Sequence, residues 1–124
     1  MKSIKGLLVA MLTILSVTVF AQSDSTSFKA AGNCGMCKKR IEGSVKVPGV
    51  SLASWNVESK VMTVKFDSGK INPKQLQQQV AAAGHDTDLF TADQAVYDKL
   101  PGCCLYDRDQ LKTLQDESKS QSGR

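Results

Sequence analysis

Cys34-Gly35-Met36-Cys37 places two thiols three positions apart, and a second pair, Cys103-Cys104, stands near the far end of the chain. Thiolate is a soft ligand that selects Cu(I), Zn(II) and other soft ions. Two residues between cysteines close a trivial loop, and adjacent cysteines strain the backbone if joined, so neither pair reads as a structural staple. Cys34-Gly35-Met36-Cys37 lies where a loop gives way to a helix. Helix amides and the neighbouring Lys38, Lys39 and Arg40 favour thiolate over thiol there. Two thiolates are too few for a closed structural zinc site. They suit a two-coordinate ion and leave room for an incoming thiolate. The competing chemistry is thiol–disulfide exchange, which normally needs a thioredoxin-like context for which this chain is short. No nucleophile–base pair is legible, and no enzymatic activity is expected.

These cysteines must be positioned by a small framework. The chain has 124 residues, 41% hydrophobic and 23% charged, which is enough for one ordinary globular domain. Lys2 and Lys5 followed by an apolar run to Phe20 and then Ala21 read as an export signal over residues 1–21, with cleavage near Ala21. The expected compartment is periplasmic or extracellular, with no membrane association after cleavage. The net charge of +4 falls to +2 without Lys2 and Lys5, at 14 basic against 12 acidic residues, too weak to suggest a nucleic-acid partner.

Residues 22–26 read as a linker and 27–90 as the domain. Thr26 to Ala31 is β-compatible. Cys37, Ile41 and Val45 recur on one helical face that Pro48-Gly49 ends. Val50, Ala53, Trp55 and Val57 carry a strand, and Met62, Val64 and Phe66 alternate in the next. Asn72 and Pro73 open a second helix, buried through Leu76, Val80 and Ala83, that Gly84 ends. Asp86 to Phe90 supplies a last strand. This order, β-α-β-β-α-β, predicts an α+β ferredoxin-like fold, a four-stranded antiparallel sheet with two helices on one face. That topology sets Gly84 and His85 beside Cys34 and Cys37. Residues 91–106 form an extension in which Thr91 and Gln94 cap a helix that rises toward Pro101-Gly102 and can return Cys103-Cys104 to the first thiol pair. Residues 107–124 read as a polar, disordered tail.

The segment from Gly32-Asn33-Cys34 to Ile41-Glu42 resembles the metal loop and first helix of the heavy-metal-associated domain family, which includes copper chaperones, periplasmic mercury-binding proteins and modules of metal-pumping ATPases. Pro48-Gly49-Val50, Asn56-Val57, Met62 to Asp67 and Leu76 to Gly84 continue the resemblance. It implies the ferredoxin-like fold and a metal pair of Cys34 and Cys37. Cu(I) is the first expectation, with Hg(II) or Zn(II) as other cargoes and a metal-transporting ATPase or efflux component as the partner. Gly32-Asn33 stands where the family carries Gly-Met-Thr, so Met36 is expected to take over part of the packing. His85 stands where the family usually has Tyr or Phe, and is a third ligand, a hydrogen-bond donor that tunes the thiolates, or an exposed loop residue beside Asp86. Cys103 and Cys104 are candidate ligands to the same ion or to a second one.

Overall fold

The protein is described by a computed structural model over residues 23–113. The export signal expected at residues 1–21 lies outside the described residues, as do residues 114–124. Strand β1 spans Ser23–Lys29, β2 Val50–Trp55 and β3 Val61–Asp67, joined antiparallel in the order β1-β3-β2. Met62, Val64 and Phe66 alternate inward on the central strand because side chains of a strand repeat every two residues. Phe28 and Trp55 flank Met62 from either side in register. The sheet begins earlier than the sequence suggests, since residues 23–26 pair with β3 as far as Ser23 opposite Asp67 instead of forming a linker.

Helix α1 spans Gly35–Ser44 and buries Cys37 and Ile41, with Val45 at its C-cap completing the apolar stripe. Helix α2 spans Pro73–Ala82. Its start carries a reciprocal capping box. The Asn72 side chain accepts from the Gln75 amide at 2.8 Å, and the Gln75 side chain accepts from the Asn72 amide at 3.1 Å. Such a cap contributes about 1 kcal/mol. Leu76 and Val80 join Ile41, Val45, Trp55 and Met62 in one core. The fold is α+β and ferredoxin-like.

Where the fourth strand was expected, the described residues show a single bridge from Thr87 to Ala30. The chain turns back at once, with the Thr87 amide donating to the Phe90 carbonyl at 2.8 Å. The Asp88 carboxylate takes the Lys29 amide that a neighbouring strand carbonyl would otherwise accept. Val57 is exposed beyond the end of β2.

The extension is shorter in helix and longer in order than its sequence suggests. Helix α3 covers only Gln94–Tyr97, and Asp93, adjacent to it, replaces Thr91 as the cap. A 3-10 turn follows at Gly102–Cys104. The expected tail does not start at 107. Residues 110–113 are helical, and Leu111 is buried against the core with Leu100, Cys104 and Tyr106. Burying a leucine side chain is worth roughly 1.5–3 kcal/mol, enough to hold so short a segment down.

Candidate metal centre

Cys34 is the N-cap of α1 and is extended, with φ −141° and ψ 175°. This conformation turns its thiol back over the first helical turn, toward Cys37. The two sulfurs lie 3.3 Å apart. Gly32 permits the approach. A Cβ there would meet the Trp55 ring at 3.0 Å, Cys37 Cβ at 3.1 Å and Ile41 Cδ1 at 3.1 Å. The indole Nε1 of Trp55 donates to the Ala30 carbonyl at 3.0 Å, so the loop rests on a fixed ring. At the other end of the helix face, Glu42 accepts both the Trp55 amide and the Lys38 ammonium, tying α1 to β2.

The Cys34 thiol is lowered from its ordinary 9.0 to about 6. The Cys37 backbone amide contributes most, followed by the Cys103 side chain, while partial burial opposes both. The Cys34 sulfur closes no cap hydrogen bond, so the amide acts on it as a nearby dipole of the helix N-terminus. Cys34 is therefore mainly thiolate near neutral pH and ready to ligate.

The extension brings the second pair to the same place. Cys104, fully buried, sets its sulfur 3.9 Å from that of Cys34. The ligand atoms of Cys34, Cys37 and Cys104 all lie within 4.8 Å of one another. Among the described residues this is the group of three or more potential ligands that converges. Cys103 lies outside it, exposed, with its sulfur 4.0 Å from Cys104 and 3.9 Å from the Met36 thioether. Met36 is 51% exposed, so it does not take over core packing but lines the rim of the site. Burial, followed by contacts with the Cys37 and Cys34 sulfurs, pushes the Cys104 thiol well above its usual range.

Three thiols thus meet at the head of a helix, on a loop seated on the sheet. The family model of the heavy-metal-associated domain matches residues 32–86. Residues 32–86 are thus similar to the heavy-metal-associated domain. The solved structure of the CopZ metallochaperone is 26% identical, covers 52% of this chain and 98% of its own, and superposes with a TM-score of 0.50. Oxidised MerP from Ralstonia metallidurans CH34 is 25% identical over 53% of this chain and 94% of its own, with a TM-score of 0.50. The N-terminal domain of a potential copper-translocating P-type ATPase from Bacillus subtilis, solved in the Cu(I)-loaded state, is 25% identical over 52% of this chain and 84% of its own, again at 0.50. Comparison with curated proteins gives no significant match. Cys103 and Cys104 lie beyond the matched residues of the heavy-metal-associated domain.

His85 is not the exposed loop residue that its sequence allows. It is fully buried, and its Nδ1 lies 2.8 Å from the Ala31 carbonyl oxygen. Its ring stacks on Tyr106 at 5.7 Å between centroids. Burial foremost lowers its pKa and keeps it neutral, although the Ala31 carbonyl acts the other way. His85 stands outside the sulfur cluster. The residues that sequence reading missed are those that hold the extension in place. Gln110 accepts the Gly32 amide at 3.0 Å, and Arg108 reaches both the Asp86 carboxylate at 3.1 Å and the Ala92 carbonyl at 2.8 Å. Leu111, one of two leucines in a polar stretch, was the signal that this segment packs.

Proposed function

We propose that this protein is an exported carrier of a soft metal ion, Cu(I) in the first place, held by Cys34 and Cys37 and passed on by thiolate exchange. The observation that carries this reading is the 3.3 Å pair of sulfurs at the N-terminus of α1, one of them already favouring thiolate. Soft, paired thiolates fit Cu(I) and also accept Hg(II) or Zn(II). The resemblance to a metallochaperone and to a Cu(I)-loaded ATPase domain supports copper, and supports a metal-transporting ATPase or efflux component as the receiving partner. The basic and apolar start of residues 1–21 supports export.

Each thiol that joins the ion gives up a proton to solvent, and Cys34 has largely done so beforehand. The deciding experiment is an anaerobic Cu(I) titration of the reduced chain from Gln22 to Arg124, which holds every described element, against a competing chelator. Tight binding that disappears in Cys34→Ser/Cys37→Ser is the expected result. Binding that survives the double substitution would move the site elsewhere.

A second reading, an exported thiol–disulfide oxidoreductase, is favoured by one observation, the low pKa of Cys34 beside a buried partner thiol. It requires catalytic turnover of a disulfide substrate by the metal-free chain. The carrier reading predicts none.

A further inference from the structure

Cys104 carries a puzzle that the two-cysteine site leaves open. A buried free cysteine often serves as a small apolar residue. Cys104, however, is not set among hydrocarbon alone. Its sulfur faces Cys34 at 3.9 Å and lies within 4.8 Å of Cys37. Three thiolates bound about 2.3 Å from one metal in a trigonal plane stand roughly 4 Å apart, close to the spacing found here.

The segment that delivers Cys104 is fixed at several points. Its amide donates to the Pro101 carbonyl at 2.8 Å, and its carbonyl accepts the Tyr106 amide at 2.8 Å. The Tyr106 hydroxyl donates to the Gly84 carbonyl, and Leu100 packs where a side chain on Gly84 would stand. Gln110 reaches across to the Gly32 amide at the base of the metal loop. Helix α1 packs directly on the Gly102–Cys104 turn. The thiol is thereby held over the ion's position by the fold, as a preorganised ligand must be.

We propose that Cys104 is the third thiolate of a three-sulfur site for a soft metal ion, brought to Cys34 and Cys37 by the chain's own C-terminal extension. The proposal rests on the soft-metal reading of Cys34 and Cys37 given above. On binding, the Cys104 S–H bond breaks, its proton passes to solvent, and its sulfur lone pair forms the new bond to the metal, with no change of oxidation state. A third thiolate occupies the side from which a partner's thiolate attacks a two-coordinate ion. Release then requires the extension to yield Cys104, which makes this protein a slower donor than a two-cysteine carrier. Cys103 stays at the rim with Met36 and is not one of the three.

The test is X-ray absorption spectroscopy of the Cu(I)-loaded chain from Gln22 to Arg124, without added thiol, beside Cys103→Ser, Cys104→Ser and Cys104→Ala. Three sulfurs per copper in the wild type and in Cys103→Ser, and two in the Cys104 variants, are expected. Two sulfurs in the wild type would overturn the third ligand while leaving the carrier reading intact. A count that falls in Cys103→Ser would assign the third sulfur to the wrong cysteine and overturn it equally. Absence of tight copper binding in the wild type would instead remove the carrier reading, and this proposal with it. Because Cys104 lies in the core, circular dichroism accompanies each variant, and the wild-type count decides the matter without any substitution.

Discussion

The hydroxyl of Tyr106 donates to the Gly84 carbonyl at 2.8 Å and accepts the Asp86 amide at 2.9 Å. One phenol therefore satisfies both sides of the loop that carries His85, and fastens the C-terminal extension to the end of the sheet where the thiols meet. The ring is held in turn by His85 on one face and by Tyr97 edge-on, 5.0 Å between centroids. A buried amide and carbonyl served by one side chain are expensive to strand.

Tyr106→Phe should therefore destabilise the chain by about 1–3 kcal/mol, since the Asp86 amide loses its acceptor and the ring stays. Thermal unfolding measures the loss. The same variant should expose Cys104 to thiol reagents faster than the wild type. Unchanged Cys104 protection would mean that the extension is anchored elsewhere.

Reactivity of the metal-free thiols should follow their settings. Cys34 is expected to alkylate with a pH midpoint of about 6, because the Cys37 amide stabilises its thiolate. Cys104 should resist alkylation in the folded state, since burial raises its pKa and blocks access. Mass mapping of the modified cysteines across pH checks both. A Cys34 midpoint near the ordinary 9.0 would remove the helix N-terminus from the account.

Gly32→Ala should cost about 1–3 kcal/mol by overpacking, because the new methyl meets an indole ring, Cys37 Cβ and Ile41 Cδ1 together. Any relief shifts Cys37, so metal affinity should fall along with stability. Chelator competition and thermal melts on one preparation separate the two effects. A melt and an affinity equal to those of the wild type would show that the loop has room.

Acid should weaken the link between α1 and β2. Burial raises the Glu42 pKa, but the Lys38 ammonium and the Trp55 amide overcome that and hold the carboxyl below its ordinary 4.5. A lowered folded pKa means that the stabilisation is full above pH 4.5 and is lost as pH falls through the folded value. Glu42→Gln should therefore be less stable than the wild type at neutral pH, and the gap should narrow below pH 4.5. Parallel acid unfolding curves for the two proteins would contradict this.

Local chemistry made part of this legible in the sequence. The spacing of Cys34 and Cys37 at a helix start, the Asn72–Pro73 opening of α2 and the alternation of Met62, Val64 and Phe66 each depend on neighbours a few residues away, so they were readable without coordinates. The sequence alone thus determined the ferredoxin-like framework and the thiol pair at its tip. Tertiary structure decided what the distant residues do. It reduced the fourth strand to a bridge at Thr87, because Asp88 supplies a side-chain acceptor to Lys29 in place of a strand carbonyl. It buried His85 and stacked it on Tyr106. It also separated two adjacent cysteines, turning Cys104 in among the thiols and leaving Cys103 exposed. Adjacent residues on a 3-10 turn point in different directions, and only the anchoring of that turn by Tyr106 and Gln110, far along the chain from the loops they hold, fixes which of the two faces the site.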